Sequence, residues 1–144
     1  MDPGWRRALN GRVSVILPRF SDLAPRITIE DALQREAEWV ERVFAPVGIR
    51  SEPLVVGVEP SEAEIAEAGE RAAGADATVL FLFDAHLYPS NRALLERVQQ
   101  RARALAVVLL RDPWDGALLA AGVLGLTAYG FRDCQLRAVI ARLG

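Results

Sequence analysis

Apolar residues fall along this chain in short blocks, and the blocks alternate between two patterns. VSVIL at 13–17, LVVGV at 54–58, ATVLFLF at 77–83 and AVVLL at 106–110 are almost unbroken apolar runs rich in β-branched residues. Runs of that length and composition predict strands buried on both faces. LGLTA at 124–128 predicts a fifth, weaker strand with Gly125 inside it. Between the runs lie amphipathic segments. Leu33, Ala37, Val40 and Phe44 recur at helical spacing with Glu and Arg between them, which predicts a helix over 29–44. Thr28 with Asp31 resembles a capping box for it, and Pro46 and Gly48 close it. Ser61 is a good N-cap for a helix ending at Gly74, with Glu62 and Glu64 where the helix dipole favours acids. Further helices are predicted at 5–9, 91–103, 113–121 and 133–143.

Strands of continuous apolar character separated by amphipathic helices predict an α/β fold. The expectation is a three-layer α/β/α sandwich with a mostly parallel sheet of five to six strands. Its strand order would be the flavodoxin-like 2-1-3-4-5, with right-handed crossovers. Val15, Val56, Leu80, Leu82, Val108 and Leu110 should be core. Residues 1–11 read as the remnant of a connection, and 12–144 as one α/β domain.

Composition narrows the chemistry. At 144 residues with 51% apolar content, the chain can bury a core. Net charge is −2 and the charges are interspersed, which gives no footprint for nucleic acid. No stretch approaches the ~18 to 20 apolar residues of a membrane span. The first residues, MDPGWRRALNG, have no apolar signal core. The expected location is cytoplasmic if the chain is complete, and secreted if it is a fragment with an upstream signal. All 17 basic residues are Arg, so no mechanism that needs a lysine is open. That removes phosphoacceptor receiver chemistry, which also wants paired acids where this chain has Leu17-Pro18-Arg19-Phe20. After the first strand, PRFSDLAPRIT has no glycine and two prolines, a poor cradle for a nucleotide phosphate. One His and one Cys, remote in sequence, predict no metal site and no disulfide, and no cofactor is expected. Cys134 reads as a structural residue of the last helix, and no Gly-x-Ser-x-Gly is present.

Two polar clusters remain, each at the end of an apolar run. The first holds Asp84, His86, Tyr88 and Asn91; the second holds Arg111, Asp112, Trp114 and Asp115. In a parallel sheet, strand carboxyl ends are where ligands and partner domains are met. Asp84 two residues before His86 could orient the imidazole as an acid/base group. Equally, Asp84 could cap the next turn while His86 packs. Arg111-Asp112-Pro113-Trp114-Asp115 could clamp a carboxylate or sugar. Equally, Asp112 could be the N-cap of a helix that starts at Pro113. Trp5, Trp39 and Trp114 suit core or interface unless one proves exposed. Asp84, His86, Tyr88, Arg111 and Asp112 are expected to face one edge, as substrate-cleft or domain-interface residues.

The run 77–84, AHLYPSNRALLERV after it, AVVLLRDPWD, and TAYGFRDCQLRAVIARLG at the end resemble the C-terminal domain of glycoside hydrolase family 3. The likeness is greatest to the bacterial β-N-acetylhexosaminidases of the NagZ type that carry this second domain. It is specific over 76–144 and looser over 11–58. The resemblance implies a partner, a catalytic (β/α)8 barrel in cis or in trans. The barrel motifs of that family, with their nucleophilic Asp and His–Asp pair, do not occur here, so no catalytic residue is carried over. Glu59 is the sole nearby candidate for the acid that some family members place in this domain, and its SEAE context reads as a helix start. The resemblance therefore implies a non-catalytic accessory domain that packs on the barrel and shapes its cleft, with the isolated chain inactive. A carbohydrate- or small-ligand-binding module, and a small enzyme using Asp84 and His86, are the alternatives.

Overall fold

A computed structural model describes residues 3–111 and 113–143. Its elements run α1 (Pro3–Ala8), β1 (Val13–Pro18), α2 (Glu36–Phe44), β2 (Ser51–Val56), α3 (Glu62–Gly74), β3 (Ala77–Leu82), α4 (Pro89–Arg101), β4 (Leu105–Leu109), β5 (Leu124–Thr127) and α5 (Asp133–Ala141). The five strands form one sheet in the order β2-β1-β3-β4-β5, and every neighbouring pair is parallel. The expected α/β sandwich and strand order are thus borne out.

Alternation within the apolar runs explains why both faces are covered. Val13, Val15, Leu17, Val79, Phe81 and Val108 point into one core with Trp39, Phe44 and Leu136. Ile16, Leu80, Leu82, Val107 and Leu109 point into the other with Ala68, Leu94, Leu95 and Val98. Val15, Val56, Leu80, Leu82, Val108 and Leu110 are all buried. Apart from the buried hydroxyls of Ser14 and Thr78, both faces of the sheet are apolar, so the loops at its ends are where a site is sought. The segment 1–11, expected as a connection, supplies α1, whose Trp5 joins the first core together with Leu9.

Three boundaries differ from expectation. The single helix over 29–44 is divided. A 3-10 turn spans Asp31–Gln34, the backbone breaks at Arg35, and α2 starts at Glu36. The Thr28–Asp31 capping box does not form: Glu30 precedes the turn, and no side chain caps it. Three side-chain hydrogen bonds explain the break. Gln34 Nε2 donates back to the Ile29 carbonyl at 3.0 Å, and the buried Glu36 carboxylate accepts from Ser21 N and Oγ, both at 3.1 Å. Strand β2 begins at Ser51, ahead of Pro53, because it lies at the sheet edge, where a missing N–H is tolerated. The segment after Pro113 is a 3-10 helix ending at Leu118, short of Ala121. Asp112, the expected cap, lies outside the described residues.

Ser61 caps α3 as read. Its hydroxyl accepts from Glu64 N at 3.2 Å, and Glu64 returns the bond to Ser61 N at 3.0 Å. The second oxygen of Glu64 accepts from Gly57 N at 2.9 Å, which ties the end of β2 to the start of the helix. Burial pushes the Glu64 carboxyl up. The backbone N–H groups of Ser61 and Gly57, the Ser61 hydroxyl and the charge of Arg19 outweigh it and hold the carboxyl below its usual range. Because the folded value is the lower one, this contribution is fully present above the unfolded value of about 4.3. It is lost as pH falls through the depressed folded value. Ser61→Ala should lower stability by about 1 kcal/mol, and Glu64→Gln should flatten the acid limb of the stability curve. Urea melts at stepped pH check both. An unchanged acid limb in Glu64→Gln would remove the carboxylate from this account.

Candidate functional site

The carboxyl ends of β3, β4 and β5 build the site. Just past β3 the chain turns at Asp84, which adopts the left-handed conformation with φ 41°. Its carbonyl accepts from Leu87 N at 2.9 Å and Tyr88 N at 3.1 Å, closing a turn before α4. A non-glycine residue held there is strained, and strain of this kind gathers at functional edges. Tyr129, just past β5, is the other non-glycine residue with positive φ, at 60°.

Asp84 is 1% exposed. One of its carboxylate oxygens pairs with the Arg111 guanidinium from the end of β4. The other is buried without a hydrogen-bond partner. Arg111 also lies 5.4 Å from the centroid of the Phe83 ring, whose opposite relationship is a stack on Tyr88 at 5.6 Å and 21°. Ion pair and ring together fix the guanidinium plane.

Asp84 does not orient His86. That role falls to Asp115, 1% exposed and reaching back from the 3-10 helix after β4. Asp115 Oδ2 accepts from Ala85 N at 2.8 Å. Asp115 Oδ1 accepts from His86 N at 2.9 Å and lies 2.6 Å from His86 Nδ1. A carboxylate can only accept, so the imidazole proton sits on Nδ1 and the Nε2 face turns away from Asp115. The Asp84–Tyr88 turn is therefore capped by Asp115 across 30 residues. The sequence places Asp115 in the right cluster but offers no sign of its role. Its position after Pro113-Trp114 reads as ordinary turn chemistry.

Asp84, His86 and Asp115 bring ligand atoms within 4.8 Å of one another, a spacing a metal ion would need. Their bonds point to another use. Both Asp115 oxygens already accept from the chain, and the Arg111 guanidinium already supplies a cation to Asp84. Of the five expected site residues, Asp84, His86, Tyr88 and Arg111 stand together at this edge, while Asp112 lies outside the described residues.

Three exposed apolar side chains follow these strand ends, one from each: Leu87 at 60%, Trp114 at 73% and Tyr129 at 70%. These are the large hydrophobic residues exposed among the described residues. Trp5 and Trp39 are core, and Trp39 Nε1 donates to Asp133 at 2.6 Å. Cys134, read as structural, is exposed in the first turn of α5.

The fold is similar to part of a glycoside hydrolase family 3 β-N-acetylglucosaminidase from Paenibacillus sp. str. FPU-7. The TM-score is 0.73 and the identity 21%, over 94% of this chain and 25% of that one. It is also similar to part of a fungal multi-domain family 3 β-N-acetylglucosaminidase that has a GCN5-related glucosamine N-acetyltransferase region. There the TM-score is 0.62 and the identity 14%, over 94% of this chain and 14% of that one. This chain thus spans a quarter or less of either protein. At the level of the fold, these likenesses bear out the resemblance read from the residues. No protein-family model matches the chain, and no curated protein does.

Removing Arg111 would leave the Asp84 carboxylate buried and uncompensated. Arg111→Ala should therefore cost about 3 kcal/mol. Adding Asp84→Asn should recover part of that loss, since asparagine tolerates the left-handed backbone and carries no charge. Asp115→Ala strips the acceptor from two backbone N–H groups and should cost roughly 2 kcal/mol. Chemical denaturation of these three variants and of Asp84→Asn alone is the check. Simple additivity of Arg111→Ala and Asp84→Asn would mean the two side chains are not coupled.

Proposed function

We propose that this chain is the accessory α/β domain of a family 3 glycoside hydrolase of the β-N-acetylhexosaminidase kind. It docks by the carboxyl edge of its sheet on a catalytic (β/α)8 barrel and forms one wall of the substrate cleft. The observation that carries the reading is that Leu87, Trp114 and Tyr129 are exposed beyond three neighbouring strand ends, on the edge that also holds the His86–Asp115 and Arg111–Asp84 pairs. Aromatic residues are enriched at protein interfaces, and large apolar side chains exposed along one edge mark an interaction surface. Two residues in left-handed conformations on the same edge add to it, because that strain has no use in a surface that only faces water.

The chemistry supports an accessory role. Glycoside hydrolysis needs two carboxyls facing a substrate, one of them able to give a proton. The buried carboxyls here, Asp84 and Asp115, are engaged by Arg111 and by backbone N–H groups of the same chain. Glu59 is exposed beyond β2, with no opposing carboxylate described beside it. What this edge offers a cleft is shape, aromatic surface and an imidazole oriented by Asp115.

That imidazole also carries the second reading, a small acid/base enzyme in its own right. An assay of the isolated chain on aryl β-N-acetylglucosaminide and β-glucoside separates the two, with no turnover expected. Turnover abolished by His86→Ala would overturn the accessory reading. A family 3 β-N-acetylglucosaminidase barrel joined to this chain tests the cleft wall. Trp114→Ala and Tyr129→Ala should raise KM about tenfold, the equivalent of 1.4 kcal/mol, with kcat and Tm little changed. Lost association with KM unchanged would leave a docking surface and no wall.

A further inference from the structure

A small cavity beside this edge has chemistry that docking leaves unused. Its volume is about 90 Å3, and Arg26, Glu59, Phe83, Tyr88 and Arg111 line it, with Leu23 and Ile27 on its apolar side. These residues come from the loop after β1 and from the ends of β2, β3 and β4. In the order β2-β1-β3-β4-β5, connections run one way from β1 to β2 and the other way to β3. The cavity lies at that reversal, the crevice where open α/β sheets bind ligands.

The charges in it are incompletely matched. Arg111 is held by Asp84 and by the Phe83 ring, so its position is set before any ligand arrives. The Arg26 guanidinium and the Glu59 carboxylate, both exposed, make no ion pair among the described residues, with each other or with anything else. One small space is thus lined by two guanidiniums and by one acid that lacks a partner. A simple anion would meet the carboxylate of Glu59, and a simple cation would meet Arg26 and Arg111. A neutral polyol would leave both unpaired charges unmatched. A molecule with a carboxylate and an ammonium on one carbon satisfies both, since guanidiniums bind carboxylates in a planar fork and Glu59 accepts from an ammonium. A volume of about 90 Å3 suits a molecule of few heavy atoms, with little or no side chain. The apolar wall can take a methyl.

We infer that this cavity binds a small zwitterionic α-amino acid, with its carboxylate on Arg26 and Arg111 and its ammonium on Glu59. The inference can fail separately from barrel docking: Arg111 belongs to both, but Arg26 and Glu59 follow β1 and β2, whereas the exposed apolar residues follow β3, β4 and β5. The test is an NMR titration of the isotopically labelled 144-residue chain with L-alanine. Saturable shifts should gather at 23–27, 58–59, 83–88 and 111. Arg26→Ala and Glu59→Gln should each weaken binding at least tenfold while Tm stays constant, because both side chains are exposed. Acetate and methylamine, each with one half of the zwitterion, should bind at least tenfold more weakly than alanine. Absence of saturable alanine binding would overturn the inference. So would acetate binding as well as alanine, which would leave a carboxylate site alone, or N-acetylglucosamine binding in its place. A barrel that docks normally beside a chain that ignores alanine would end this inference and leave the accessory role standing.

Discussion

Two buried carboxylates cross-tie the ends of neighbouring strands, and the functional edge depends on them. Asp84, at the end of β3, reaches across to Arg111 at the end of β4. Asp115, beyond β4, reaches back to Ala85 and His86 beyond β3. Each loop is therefore held by an acid from the other. Neither tie works alone. Asp84 needs its unusual backbone to send its side chain sideways, and the turn that imposes that backbone is capped by Asp115. A buried carboxylate that loses its partners is costly, so the two loops keep one relative position or the edge opens altogether. Coupling of this kind turns two surface loops into a rigid platform, which a domain wall or a ligand pocket requires.

The platform is at the edge because the rest of the molecule has no room for polar chemistry. The strands that pair on both sides carry apolar side chains into two cores, one under α1, α2 and α5, the other under α3 and α4. In the first core, Phe20, Trp39, Phe44 and Phe81 meet edge to face, and Phe131 extends the cluster to the ring of Phe83. Phe83 then stacks on Tyr88 and lies under Arg111. The aromatic core thus runs out into the site without a break. The guanidinium is braced by a ring that is itself part of the core packing, so the geometry of the edge is tied to the stability of the fold.

Local pattern made the sheet legible. Uninterrupted β-branched runs have one comfortable home, a parallel strand covered on both faces, and Ser61-x-x-Glu64 forms a cap from residues three apart. The misreadings share one cause. The 31–34 turn keeps the spacing of a helix, because three-residue repeats suit a 3-10 turn as well. What breaks it is Glu36 bonding to Ser21, fifteen residues away. Strand β2 reaches past its apolar run to Ser51, because Pro53 sits on an edge strand, where its missing N–H is tolerated. Likewise, Asp84-x-His86 is a reasonable pair by spacing, yet a left-handed backbone at Asp84 turns the carboxylate toward Arg111 and leaves the imidazole to Asp115. No periodicity announces a bond across 30 residues.

The arrangement also fits the proposal that this polar edge is well built without being a catalytic centre. Catalytic carboxyls have to face a substrate, with oxygens left over for it. Here three backbone or ring donors occupy Asp115 and a guanidinium occupies Asp84, so the acids hold the platform in shape. The groups that face outward are of another kind: a tryptophan, a tyrosine, a leucine, an imidazole, and farther along the edge Arg26 and Glu59. Under the proposed function, those groups would recognise and position. A platform braced from within and furnished for recognition on its outer side is what a domain needs in order to complete another domain's site, or to hold a small ligand of its own.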